Sequence, residues 1–327
     1  MSVRVGILGA GHIGGVHARN LSHDERVQLV GVADVRPDAA QRLAGEVGTR
    51  PLPDLAALLH EGAQAVYVTT PNAHHVESVL AALGAGAHVF SEKPMATSLD
   101  GARQIAAAVA GSRSVYQLGF NRRWSPAYTF IREMITQGEF RPAMAHMKMN
   151  RGELKSPPWV GTTALTGGFL YETTIHLLDV CRFLLGDITT VLCQARTTVY
   201  QEPDGFAAVL RCASGTLVTF HSCAHATWIF PFERTELFGP HQTVVADQME
   251  QVTVSPGLGR EITTRNYSPL PMEEKWGYRS EDRDFIGAIL DGQALRVTAE
   301  DGLRATELVE ACYRSVRDGA EVSLPLA

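Results

Sequence analysis

Val3-Arg4-Val5-Gly6-Ile7-Leu8-Gly9-Ala10-Gly11-His12-Ile13-Gly14 is a short apolar run that feeds directly into a Gly9-x-Gly11-x-x-Gly14 loop. Each glycine has its own task. Gly9 takes the tight turn, Gly11 leaves no side chain between the backbone and a pyrophosphate, and Gly14 lets the next helix lie close to the strand. That helix is expected from Ile13 to about Leu21, and His12 and Ile13 at its mouth are expected to contact the cofactor. Its free N–H groups and positive dipole end then face the phosphates. A second apolar run, Val27 to Val32, ends at Asp34, twenty residues past Gly14. An acidic side chain at that distance suits hydrogen bonds to a ribose 2′-hydroxyl. Strand, loop, helix and acid together predict a bound nicotinamide dinucleotide. Asp34 would repel a 2′-phosphate and favours NAD, whereas Arg36 could offset that repulsion and leaves NADP as the alternative.

The first third continues the alternation. Strand-like runs fall at Gln28–Ala33, Ala65–Thr69, His88–Ser91 and Ser114–Leu118, with helical stretches at Ala39–Val47, Asp54–His60, His74–Ala85 and Leu99–Ala110 between them. Short apolar strands alternating with helices predict an α/β fold with a doubly wound parallel sheet, whose ligands bind at the carboxyl ends of the strands. Thr70-Pro71-Asn72 and Glu92-Lys93-Pro94 each lie at such an end.

Beyond about Phe120 the pattern changes. Ser125-Pro126 opens a helix to about Gln137, and strand-like runs follow at Ala143–Met149, Thr189–Val199, Phe206–Cys212, Leu217–Ser222, Arg234–Phe238, Thr243–Ala246 and Val252–Ser255. Short connections rich in Gly, Pro and Asp predict an antiparallel sheet. Helices near Ser280–Leu290 and Ala299–Arg317 close the chain. The expected division is a Rossmann domain over 1–120 and an α+β substrate-binding and oligomerisation domain over 121–327.

A second segment, Gly167 to Asp179, reads as an apolar helix from Leu170 to Leu185 interrupted by Glu172, His176 and Asp179. Spacings of four and three put those three side chains on one face. Such a stripe faces a ligand or is satisfied in a buried network, because unpaired burial costs several kcal/mol. Lys93 bears on that choice: held between an acid and a proline at a strand end, its backbone is restricted to extended conformations. Hydride transfer from a carbinol needs a group that takes the hydroxyl proton and a positive charge that stabilises the developing alkoxide. A histidine, titrating near neutrality, suits the first role and a lysine the second.

These residues resemble the Gfo/Idh/MocA oxidoreductases over nearly the whole chain. The markers are the Gly9–Gly14 loop, Thr70-Pro71-Asn72 with His75, and Gly86-Ala87-His88-Val89-Phe90-Ser91-Glu92-Lys93-Pro94. Gly119-Phe120-Asn121-Arg122-Arg123 and Gly167-Gly168 through His176 and Asp179 complete the set. The resemblance implies a second domain built on a large, mostly antiparallel sheet, and assembly into homodimers or homotetramers through its exposed face. It implies Lys93 as the active-site lysine and His176 as the acid/base. Glu172 stands where the family commonly has Asp, and Thr174 where many members have Gly, so the substrate pocket is expected to differ from those of typical inositol or glucose dehydrogenases. Glu172 would orient the imidazole or bind a substrate hydroxyl. Thr70, Pro71, Asn72, His75 and Glu92 are expected along the cofactor with Lys93. Asn121, Arg123 and Asp179 are weaker candidates for substrate contact, Arg123 being as readily a salt-bridge partner. Trp159 and Tyr171 could wall a sugar pocket, although core packing explains either one. His221 and His225 read as structural.

The resulting expectation is an NAD(P)-dependent oxidoreductase acting on a secondary alcohol of a sugar, polyol or related cyclic compound. Two rivals remain at this level: a redox-neutral glycosidase or lyase of the same fold, and a non-catalytic NAD-responsive binding protein. Bulk properties narrow the rest. A chain of 327 residues with 45% hydrophobic and 20% charged residues and a formal charge of −6 offers no basic surface for nucleic acid. No apolar run reaches bilayer length, and the first strand begins at Val3, so a cytoplasmic protein is expected. Five cysteines without CxxC spacing read as reduced buried thiols, and no grouping has metal-ligand spacing.

Overall fold

The structure, a computed structural model, describes residues 2–152, 161–226 and 232–326. The chain divides into two compact units, 1–121 with 278–304, and 122–277 with 305–327.

In the first unit β1 (Val3–Leu8), β2 (Val27–Ala33), β3 (Pro51–Leu52), β4 (Ala65–Val68), β5 (His88–Glu92) and β6 (Tyr116–Gly119) form one sheet in the order β3-β2-β1-β4-β5-β6. Every pairing is parallel. The helices α1 (His12–Ser22), α2 (Pro37–Glu46), α3 (Leu55–His60), α4 (His75–Gly84) and α5 (Leu99–Ala110) make the connections. A parallel sheet covered on both faces needs strands that are apolar throughout. Accordingly, all four residues of β4 are buried, as are Val3, Val5 and Ile7 of β1. Helix starts follow local chemistry: Asp54 accepts the Ala57 N–H at 2.8 Å, Ser98 accepts that of Gly101 at 3.2 Å, and Pro37 occupies the first turn of α2.

The second unit opens with α6 (Pro126–Thr136), β7 (Met144–Asn150) and the short α7 (Thr163–Thr166). A π-type turn, Leu170–Thr174, then leads into α8 (Ile175–Leu185). The uninterrupted helix expected from Leu170 is therefore two segments. Thr173 and Thr174 are poor helix formers, and the Thr174 hydroxyl is held 2.8 Å from that of Ser222, whose Oγ donates to the Met149 carbonyl.

The strands β8 (Ile188–Arg196), β9 (Gly205–Cys212), β10 (Leu217–Cys223), β11 (Glu233–Gly239), β12 (Gln242–Asp247), β13 (Gln251–Ser255) and β14 (Thr263–Asn266) follow. After them come α9 (Met272–Lys275), α10 (Tyr278–Asp291), α11 (Ala299–Asp318) and β15 (Val322–Ser323). The sheet runs β14-β13-β12-β11-β7-β10-β9-β8-β15. Among the described residues only the β10–β7 pairing of this sheet is parallel. Alternation of buried with half-buried residues along β7, and of buried with mostly exposed residues along β9, marks a sheet with one buried face. β14, exposed along its whole length, carried no apolar alternation from which it could be read.

The helix α10 clusters with the first unit although it follows the second sheet in sequence. Its Phe285 is fully buried, with ring centroids 5.5 Å from Tyr67 and 5.8 Å from Phe90, which stack on each other at 4.6 Å. The sequence division at residue 120 and the spatial division therefore differ by this returning segment. Apolar periodicity marks a helix as core-facing without saying which core it joins.

Candidate active site

In the first unit the three loop glycines separate by environment. Gly9 has φ +109°, and a Cβ there would lie 2.5 Å from the Thr69 carbonyl oxygen. At Gly14 a Cβ would lie 2.1 Å from the Gly9 oxygen. At Gly11 it would meet nothing within 4 Å. The open side of Gly11, the start of α1 at His12 and Ile13, and a buried Thr70 hydroxyl with no hydrogen-bond partner among the described residues fit a pyrophosphate-bearing cofactor. The expected consequence is a split between two variants. Gly11→Ala should fold normally and lose dinucleotide affinity alone. Gly14→Ala should lose both affinity and stability, by about 1–3 kcal/mol for the overpacked site. Fluorescence titration with NADH and thermal melts of the two proteins check this.

Asp34, at the end of β2, is fixed by the loop it serves. Its Oδ2 accepts the Ala10 N–H at 2.7 Å and its Oδ1 the Arg36 N–H at 2.8 Å. Each oxygen keeps a lone pair for a ribose hydroxyl. The Arg36 guanidinium, 3.5 Å away, is largely exposed.

Thr70-Pro71-Asn72 follows β4, which lies next to β1, and Lys93 follows β5, which lies next to β4, so both stand at carboxyl ends of central strands of the sheet. Asn72 is buried. Expected along the cofactor, His75 is instead fully buried, with Nδ1 2.7 Å from the Pro94 carbonyl and Nε2 2.9 Å from that of Thr70. It ties two strand-end loops together and leaves no ring nitrogen for a ligand. Burial lowers its pKa, against the pull of both carbonyls. Glu92 also faces inward: Oε2 accepts the Lys93 N–H at 3.0 Å, and Oε1 lies 3.2 Å from Nε2 of buried His17. The other nitrogen of His17 is 2.7 Å from Asp282 Oδ1, on α10. His17, Glu92 and Glu281 form the one metal-like grouping among the described residues. With both imidazole nitrogens held by carboxylates, His17 offers no lone pair to an ion.

In the second unit Glu172 lies in the π-type turn and His176 in the first turn of α8, both half-buried. Asp179 does not share their setting. It is fully buried and takes a two-pronged contact from Arg123, Nε to Oδ2 at 2.9 Å and the second nitrogen to Oδ1 at 2.6 Å. The Arg123 guanidinium also lies 5.3 Å from the Phe183 ring centroid. Two expected substrate contacts are thus partners in a buried ion pair. Asn121 is likewise buried. Tyr171 is core: its hydroxyl bonds to Glu310 and its ring stacks on Tyr313 at 6.4 Å. Trp159 lies outside the described residues. His221 and His225 bond protein groups, Asn150 Oδ1 at 2.8 Å and Thr198 Oγ1 at 3.0 Å.

Glu172 lines a shallow concavity, partly open to solvent, together with Arg151, Phe169, Tyr200, Thr163 and Thr166. The Tyr200 side of the wall is rigidly built. Buried Asp204 accepts the N–H groups of Thr198, Val199 and Tyr200 at 2.7–3.0 Å and the Thr198 hydroxyl at 2.7 Å. Burial would raise the Asp204 pKa, but these bonds together hold it below the usual carboxylate value. Arg151 and Tyr200 were not singled out from the sequence. Only the turn signal Pro203-Asp204-Gly205 pointed to this loop.

Two family descriptions match: an oxidoreductase family with an NAD-binding Rossmann fold (Gfo/Idh/MocA) over residues 3–120, and the C-terminal α/β domain of the same family over 132–324. The chain belongs to the Gfo/Idh/MocA oxidoreductase family. Its first domain is that family's NAD-binding Rossmann domain. Inositol 2-dehydrogenase of Rhizobium meliloti is 30% identical over 99% of this chain and 100% of its own. The solved myo-inositol dehydrogenase of Corynebacterium glutamicum has a TM-score of 0.84 and 26% identity, covering both chains entirely. GenD2 of gentamicin A biosynthesis, solved with NAD, has a TM-score of 0.86 and 26% identity over 99% of this chain and 97% of its own. Five free cysteines, all buried, and no helix among the described residues long and apolar enough to cross a membrane complete the picture.

Proposed function

We propose that this protein oxidises a secondary alcohol of a sugar or cyclic polyol, with an inositol-like ring as the leading substrate. The observation that carries the reading is Lys93. It stands at the carboxyl end of β5, its N–H held by Glu92, in the sheet whose neighbouring strand ends carry the glycine loop and Thr70-Pro71-Asn72. NAD, when bound, supplies the hydride acceptor. The Lys93 ammonium stabilises negative charge building on the substrate oxygen, and His176 takes the hydroxyl proton. Glu172 accepts a hydrogen bond from a substrate hydroxyl or orients the imidazole. The names of the inositol dehydrogenase relatives support the substrate class.

The test is NADH absorbance with NAD and a panel of inositols, aldoses and anhydrosugars, with products analysed in each sample. Accumulating NADH is the expected result. A converted substrate without NADH would replace the reading with redox-neutral glycosidase or lyase chemistry.

The fixed Asp34 carboxylate favours NAD over NADP, since a 2′-phosphate would meet a charge that cannot swing away. Asp34→Asn keeps the size and removes the charge. It is expected to raise KM for NAD about 10-fold and to narrow the gap to NADP, as loss of one charged hydrogen bond would. Steady-state kinetics with both cofactors measure it, and an unchanged NAD/NADP ratio would remove Asp34 as the discriminator.

Assembly as a homo-oligomer has support in the exposed sheet face. Met144 pairs with Phe238 there, 50% and 37% exposed, and Leu192 with Val209, 40% and 38% exposed. Light scattering on the purified protein is the check.

A further inference from the structure

Arg151 stands just past the end of β7, where its N–H donates to the Cys223 carbonyl at 3.0 Å. Its guanidinium lies 5.9 Å from the Phe169 ring centroid and lines the concavity with Glu172. The Arg151 Nε is buried and has no hydrogen-bond partner among the described residues. A buried guanidinium donor left unmade is costly, and a cation–π contact supplies no acceptor. Burial lowers the Arg151 pKa, and the charge of Glu172 opposes that shift, so the two groups sense each other electrostatically. The lining thus offers a buried donor and a half-buried carboxylate acceptor in one concavity, with its Tyr200 wall fixed by Asp204.

We infer that Arg151 is a substrate-binding residue, and that it and Glu172 together read a hydroxyl-bearing edge of an uncharged ring, Arg151 donating to a hydroxyl oxygen and Glu172 accepting a hydroxyl proton. A hydroxyl group, or a vicinal pair, satisfies both partners at once because it is donor and acceptor. A substrate carboxylate satisfies Arg151 alone and meets the charge of Glu172, with Glu202 adding a second carboxylate at the lining. The assignment rests on the polyol-oxidation reading and sharpens it. Arg151 acts in recognition, away from the hydride and proton transfers given to NAD and His176.

The test uses Arg151→Met, similar in length and without donors, and Arg151→Lys, which keeps the charge. Each is assayed with myo-inositol, D-glucose, their monodeoxy analogues and D-glucuronate. NADH formation is followed together with calorimetric binding to the NADH-loaded protein. Thermal melts of each variant control for folding of the second unit, and NADH affinity for that of the first. The expected result is a fall of about 10- to 100-fold in kcat/KM for Arg151→Met on the parent polyol, carried mostly by KM. Arg151→Lys should be intermediate, and one monodeoxy analogue should be insensitive to the substitution. Equal losses on every analogue, no loss at all, or a preference for glucuronate that Arg151→Met abolishes would each overturn the inference while leaving the polyol reading intact. Binding weakened by Arg151→Met without turnover of any compound would sustain the inference and overturn the oxidation reading. Neither binding nor turnover across the set would overturn both.

Discussion

Lys93→Met should lower kcat by about 10³-fold, the scale on which loss of one preorganised electrostatic group acts, while NADH affinity stays close to that of the unaltered protein. The two effects separate because different parts of the first unit carry them. On the proposed reading the dinucleotide contacts belong to the Gly9–Gly14 loop, Asp34 and the Thr70–Asn72 segment, which follow β1, β2 and β4. Lys93 is positioned through its backbone, by the bond from its N–H to Glu92, and that bond survives any change of its side chain. What disappears is the ammonium alone. Lys93→Arg keeps the charge but spreads it over a longer planar group, so partial activity is expected there. Single-turnover kinetics with a fluorescence titration for NADH distinguish loss of chemistry from loss of cofactor. Turnover of Lys93→Met near the unaltered rate would show that another residue carries the charge.

The second large effect is on stability. His17→Leu should cost about 3–5 kcal/mol, the usual loss when one partner is removed from a buried charged network. The substitution takes from Asp282 its imidazole partner, leaving the Asn20 side-chain amide that donates to its Oδ2 at 2.8 Å, and frees one oxygen of Glu92. The groups around the ring are Glu92, Asp282 and Glu281, with the rings of Tyr67, Phe90 and Tyr278 against its faces. Burial is the largest single influence on the His17 pKa and lowers it. The charge and hydrogen bond of Asp282, with those of Glu92, outweigh it and hold the pKa well above the ordinary value. A pKa raised on folding means that the charged ring stabilises the native state fully below about pH 6.5. That contribution declines as pH rises through the folded value. Thermal melts of both proteins from pH 6 to 9 should therefore show a gap that narrows toward alkaline pH. A gap independent of pH would mean the loss is one of packing only.

Much of this was legible because local signals carried it. Helix α5 begins and ends where Ser98 and the following periodicity put it, and β1, its loop and Asp34 have the spacing their chemistry requires. The residues left open or passed over are those whose partners are distant in sequence. Arg123 and Asp179 look like functional polar groups until the fold brings them together across 56 residues. His17 looks like an ordinary helix residue until Asp282 arrives from 265 residues away. The π-type turn escaped for a different reason: apolar spacing from Leu170 to Leu185 fits a continuous helix, and only the Thr174–Ser222 contact shows what holds the first turn off that path. Arg151 had no local signature, since its meaning depends on what faces it.

The route of the chain bears on how the protein is made. The first unit is left at Asn121, re-entered at Tyr278 and left again after Arg304. Asp282, Phe285 and Ile286, which complete its buried network and its aromatic core, all lie in that late segment. A nascent chain that has emerged through Glu92 but not to Tyr278 holds Tyr67 and Phe90 without the cover of Phe285 and His17 without Asp282. Capture of the cofactor must wait until translation is nearly finished, and a chain terminated before Tyr278 would be a client for chaperones, not a small dinucleotide-binding protein.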